Sequence, residues 1–161
     1  MRRLGQTYLA TQVAAILDLP LTHLDGIYYD ADWRELDQQE FAERQRTLVG
    51  KPRWLIEGNY ASTLPIRVTA ADTVIFLDLP ALTCLLGILQ RRRRYRGGQH
   101  ADDGVFDRIT ASFVRYIWHY RRTMRPKVEH LIAEHAGHAR VVTLTSRRQS
   151  PLAQDDVRHP V

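Results

Sequence analysis

Apolar residues at Leu9, Val13, Ile16 and Leu17 fall on one side of a helix, and the pattern stops at Leu19-Pro20, where proline disfavours a helical predecessor. Residues 21–24 read as a short strand leading into Asp25 and Gly26. Asp32 with Glu35 three positions later has capping-box spacing and predicts a polar helix to about Leu48. Gly50-Lys51-Pro52 turns the chain into a second strand at 54–56, which ends at Glu57-Gly58-Asn59-Tyr60. The run Thr73-Val74-Ile75-Phe76-Leu77-Asp78 is the clearest strand, continuously apolar as in parallel sheets covered on both faces. Leu82, Leu85, Leu86 and Leu89 predict the buried face of a helix over 81 to about 93, stopped by Gly97-Gly98 and followed by a polar loop at 99–104. Ile109, Phe113, Tyr116, Ile117 and Tyr120 make one stripe of a long basic helix. A further helix follows Pro126, 140–145 is a last strand, and the tail from Gln149 reads as flexible.

Strands alternating with helices at this spacing predict an α/β fold, a three-layer parallel sheet flanked by helices on both faces. One domain spans 1–148, with a lid segment at about 91–125 and a tail at 149–161. Ligands in such sheets sit outside the carboxyl ends of the strands. The residues there are Asp25, Glu57-Gly58-Asn59, Asp78 and Ser146-Arg147-Arg148.

Composition narrows the partners. The 161 residues are 44% apolar and 25% charged, which fits a globular chain. No apolar run reaches the length of a membrane span, no signal peptide is read, and Cys84 is the only cysteine. These features lead to the expectation of a cytoplasmic protein that does not engage a membrane. Between Cys84 and Lys127 there are eleven Lys/Arg against three Asp/Glu, so this segment carries +8 of a net +5, and the remainder carries −3. Nearly all of the positive charge is arginine. A genomic base bias accounts for that as readily as selection for the guanidinium fork that matches phosphate oxygens. An anionic partner follows either way, whether nucleotide or nucleic acid.

Taken in order, GQTYLATQVAAILDLPLTHLD, WLIEGNYASTLPIRVTAADTVIFLDLP, RRRRYRGG, FVRYIWHYRRTMRP and VVTLTSRR resemble a bacterial family of P-loop kinases related to adenylate kinase, labelled DNA topology modulation protein. The resemblance runs from about Gly5 to Arg148. It implies a glycine-rich loop that cradles the phosphates of ATP, a lysine that neutralises them and a hydroxyl on Mg2+. Here that motif is reduced to Gly5-Gln6-Thr7, with Gln6 at the lysine position and Thr7 at the magnesium-ligand position. The family's first strand lies centrally, between the strands at Trp54 and Thr73. Its absence here implies a natural start further upstream or a decayed, weakened kinase.

The resemblance also places Asp25 near the acceptor as a general base, although a carboxylate capping the turn at Gly26 is the alternative. Asn59 and Arg67 are directed at the unknown small-molecule acceptor or its phosphate, with a surface ion pair as the alternative for Arg67. Asp78 is the second magnesium-associated carboxylate or a cap for the next helix. By helical rotation Arg93 continues the leucine face and Arg92 and Arg96 flank it, so these three reach the phosphates while Arg91 faces solvent. Arg115, Arg121, Arg122 and Arg125 close on ATP from the other side, and Arg147 lies near the adenine. His130, His135 and His138 lack metal-ligand spacing and are read as surface residues. Two readings compete with a phosphotransferase: a nucleic-acid binder using the basic segment and its aromatics, and a nucleotide-binding regulator without turnover.

Overall fold

The computed structural model describes residues 6–30, 32, 34–95, 98–100, 105–107 and 110–146, with backbone alone for 90–95, 98–100, 105–107 and 113. Helix α1 (Gln6–Leu17) buries Leu9, Ala10, Val13 and Ala14. It ends at Asp18, whose φ of 52° is one that aspartate tolerates, with the Leu19 amide donating to the Ala14 carbonyl. Strand β1 (Leu21–His23) pairs in parallel with β2 (Leu55–Glu57), and His23 stands opposite Glu57. A single helical turn, α2 (Asp25–Tyr28), follows β1.

Helix α3 (Gln38–Val49) begins later than the Asp32–Glu35 spacing predicts. The Asp30 carboxylate accepts the amides of Asp32 and Arg34, folding that stretch into a loop, and Asp37 caps the helix by accepting from the amides of Gln39 and Glu40. After β2, one 3-10 turn (Ala61–Thr63) leads into α4 (Leu64–Ala70). At seven residues α4 is too short to leave a periodic signature in the sequence.

Strand β3 (Thr73–Leu77) pairs in parallel with β6 (Arg140–Leu144). Between them lie α5 (Ala81–Tyr95), the antiparallel pair β4 (Gly98–His100) and β5 (Val105–Asp107), α6 (Ala111–Thr123) and α7 (Arg125–His135). The expected polar loop at 99–104 is therefore flanked by this pair, residues 99–100 belonging to β4, while 101–104 lie outside the described residues.

Side-chain alternation on β3 separates two cores. Ile75 and Leu77, with Val142 and Leu144 of β6, pack with Leu9, Val13 and Leu17 of α1. Val74 and Phe76 face the other way, against Leu64 and Val68 of α4, Val128 and Ile132 of α7, and Ala136 just after α7. Leu55 of β2 joins the first cluster, so α1 lies across both parallel pairs. Ile56 turns instead toward Leu24, Tyr28 and Phe41. The architecture is mixed α/β with small parallel sheets, and β2 and β3 belong to separate sheets. Among the described residues no helix is long and apolar enough to cross a membrane.

Two expected buried faces are only partly covered. Leu82, Leu86 and Leu89 are 63%, 49% and 55% exposed, whereas Leu85 of the same expected face and Cys84, Gly87 and Ile88 on the opposite side of α5 are half-buried. Periodicity defines a stripe but not which side its neighbours occupy, and α5 packs against α6 with Leu82, Leu86 and Leu89 left exposed. On α6, Ile117 and Tyr120 of the expected stripe are half-buried, Tyr116 is exposed, and Trp118, off the stripe, is more exposed still; Ile109 and the Phe113 side chain lie outside the described residues.

Candidate functional site

Five side chains gather in two bonded groups at the carboxyl ends of β1 and β2. His23 Nδ1 lies 2.7 Å from Glu57 Oε2, and the Thr7 hydroxyl, in the first turn of α1, donates to Glu57 Oε1 at 3.4 Å. Glu57 therefore links both strands to the helix. The hydrogen bond to Glu57 raises the pKa of His23 above its ordinary value; burial opposes this, and the charges of Glu57 and Asp25 add to the rise. Two residues beyond His23, the Asp25 carboxylate accepts from the Tyr60 hydroxyl at 2.6 Å. Burial, reinforced by that carboxylate, pushes the Tyr60 pKa up, so the phenol stays protonated and donates.

Gly58 makes the loop after β2 possible. Its φ of +151° lies where side chains are rarely accommodated, and a Cβ there would sit 2.7 Å from Leu24 Cβ. Beneath the loop, Arg67 is only 6% exposed and donates to Gln45 Oε1, the Thr63 hydroxyl and the carbonyls of Gly58 and Tyr60. All four acceptors are neutral. Burial accordingly lowers its pKa to about 10, leaving a guanidinium that is charged at neutral pH behind the loop.

The end of β3 forms a second neighbourhood. Asp78 is 1% exposed; Arg121 Nε and Nη2 donate to its two oxygens at 3.0 and 2.8 Å, and Arg125 Nη1 lies 3.0 Å from Oδ2. The hydrogen bonds from Arg121 hold this carboxyl below the usual range against the opposing effect of burial. Asn59 joins the two neighbourhoods: its amide donates to the Tyr116 hydroxyl at 3.2 Å, and Tyr116 packs edge-on against Tyr120. Helix α6 thus ties the loop after β2 to the end of β3.

Of the residues singled out in the sequence, Thr7, Asp25, Asn59, Asp78 and Arg121 all stand at these strand ends. Gln6 opens α1 and is exposed. Arg67 supports the loop from below and does not project from it. Arg92 and Arg93 lie on the last turns of α5, with side chains outside the described residues. Gly5, Arg96 and Arg147 also lie outside them. Arg125, expected with Arg121 on the facing helix, joins it at Asp78, whereas His23, Tyr60 and the pairing of Glu57 with His23 have no counterpart among the sequence expectations. A half-buried polar pair at matching strand ends was the available signal.

The donor set suits a polyphosphate better than a metal at Asp78, because two arginines already neutralise that carboxylate. Thr7 and Glu57 offer the hard oxygen ligands for a magnesium ion arriving with a nucleotide. Comparison with protein-family models, curated proteins and solved structures finds no match for this chain.

Proposed function

We propose that the chain is a cytoplasmic nucleotide-binding protein of the P-loop kinase type, related to adenylate kinase. It would take Mg-ATP at the mouth formed by α1, β1, β2 and β3. One observation carries the reading: Thr7 on the first turn of a 12-residue helix meets Glu57 at strand ends that also hold Asp25, Asn59 and Asp78. Helix N-termini and hydroxyls suit phosphate, and Arg121 and Arg125 add cationic forks on the facing helix. On this reading the two parallel pairs are halves of a three-layer sheet open between β2 and β3, with α1 lying across the opening.

Within the site, Asp25 would accept a proton from the hydroxyl of a small-molecule acceptor, with the Tyr60 hydroxyl fixing the orientation of its carboxylate. Asn59 and the loop supported by Arg67 would position that acceptor. Bound magnesium would offset phosphate charge. Gln6 cannot, so transfer would be slow and binding the more robust property.

The test is titration with a fluorescent ATP analogue, competed by ATP. Saturable binding that competes with ATP and weakens in Thr7→Ala supports the reading. Absence of binding, or binding indifferent to ATP, overturns it.

The exposed Trp118 and Tyr116 on α6, beside Arg115 and Arg122, keep a second reading in play, namely single-stranded nucleic acid stacking on this helix. Such binding would fall steeply with salt and be lost in Trp118→Ala.

A further inference from the structure

We propose that α5 and α6 present a docking face for an anionic lipid surface, with Leu82, Leu86 and Leu89 entering the headgroup boundary and arginines of the same helices meeting lipid phosphates. Between 81 and 89, where the side chains of α5 are described, these three leucines are the only exposed residues. They recur at i, i+4 and i+7, so the solvent side of the helix is an apolar stripe. By helical position Arg93 continues that row one turn further on. Val114 and Trp118, one turn apart on α6, are exposed as well, and so are Arg115 and Arg122. Of the seven exposed large hydrophobic residues among those described, only Val141 lies outside these two packed helices. Apolar exposure concentrated in this way marks an interaction surface.

Charge selects the occupant. The two helices hold seven arginines, four at 91–94 and three at 115, 121 and 122, and no aspartate or glutamate. One of them, Arg121, is committed to Asp78. A second copy of the chain would bring the same positive charge to the contact, which opposes self-association. A nucleic acid offers phosphates and bases that stack on aromatic rings, but nothing that covers a leucine stripe. A partner helix packed on the stripe would need charges along its flanks to fix register, and the flanking Ala81, Thr83, Leu85 and Gly87 carry none. A bilayer rich in anionic lipid supplies both halves of the match, hydrocarbon for leucine and tryptophan and phosphate for arginine, and demands no register. The expectation that the chain does not engage a membrane follows from the lack of a spanning run, and a helix pair lying on a surface needs none. The proposal is independent of nucleotide binding at the strand ends.

The experiment is co-sedimentation of the full chain with vesicles of phosphatidylglycerol and phosphatidylcholine in equal parts, and with vesicles of phosphatidylcholine alone. The expected result is saturable binding to the mixed vesicles that is about tenfold or more weaker on phosphatidylcholine alone and is reduced by salt. The triple variant Leu82→Gln, Leu86→Gln and Leu89→Gln alters exposed side chains only, so it should melt with the parent and bind the mixed vesicles about tenfold or more weakly. Leu86→Gln alone should weaken binding about threefold to tenfold, and it carries the same comparison should the triple variant not fold. Failure of the unaltered chain to bind the mixed vesicles, which needs no variant to fold, overturns the proposal. Equal binding to both kinds of vesicle removes the anionic requirement and overturns it too. So does full binding by the glutamine variants, because the contact would then be electrostatic alone. Tighter binding of a synthetic amphipathic helix of glutamate and leucine, in competition with the vesicles, would overturn it by assigning the stripe to a protein partner.

Discussion

Replacing Gly58 with alanine should damage the loop after β2 more than any other single methyl added to the described chain. The new Cβ would lie 2.7 Å from Leu24 Cβ, 2.9 Å from its Cδ1 and 3.0 Å from its Cγ. Leu24 cannot easily withdraw, because it is fully buried and its amide is bonded to the Glu57 carbonyl. Strained backbone at φ +151° and overpacking each cost about 1–3 kcal/mol, so Gly58→Ala should lose about 2–6 kcal/mol. For a chain of this size that is a fall in melting temperature on the order of 10 °C. Calorimetry or circular dichroism reads it directly. A double-mutant cycle isolates the contact: Leu24→Ala removes Cγ and Cδ1 but keeps Cβ, so the pair should be less destabilised than the sum by about 1 kcal/mol. A Gly58→Ala protein melting with the parent, or strict additivity with Leu24→Ala, would refute the account of this loop.

Other outcomes follow from the same geometry. Arg67→Met keeps most of the volume but takes the guanidinium donors away from the Gly58 carbonyl and Gln45 Oε1, so it should cost about 2–4 kcal/mol in denaturant unfolding and weaken ligand binding through the loop. Phe41→Ala, at a fully buried ring packed on Tyr28 and Tyr60, should cost about 3–5 kcal/mol, whereas Trp118→Ala should fall within about 0.5 kcal/mol of the parent. The depressed Asp78 carboxyl contributes stability that is present above the ordinary aspartate value and lost as pH falls through the folded one. Acid unfolding of Asp78→Asn should therefore lack a step that the parent shows. Gln6→Lys should tighten ATP roughly fivefold to tenfold, the effect of about 1 kcal/mol from a charge in a mostly aqueous setting.

Much of the scaffold was legible from the chain because buried strands and the α1 stripe leave plain periodic marks. Leu9, Val13 and Leu17 sit where their spacing puts them, and β3 and β6 match their apolar runs. Capping was harder. Asp32 and Glu35 have the right spacing, but Asp30 competes for the same backbone amides and moves the helix start to Asp37. The leucine stripe of α5 was visible while its orientation was not, since orientation depends on where α6 lies. Asp25, Asn59 and Asp78 were found because strand ends are legible. The His23–Glu57 pair was not, because it depends on the register of two strands 34 residues apart. Arg67 was identified by type, yet its burial under a loop is a tertiary fact.

The central claim is nucleotide binding at the strand-end mouth, and a thermal melt of the 161-residue chain with and without Mg-ATP tests it most directly. At about 100 times the dissociation constant, ligand should add about 2.7 kcal/mol to the folded state, a rise of roughly 5–10 °C. The account predicts that rise, reduced in Thr7→Ala and enlarged in Gln6→Lys. A cooperative melt that stays fixed at saturating Mg-ATP in all three proteins would contradict it.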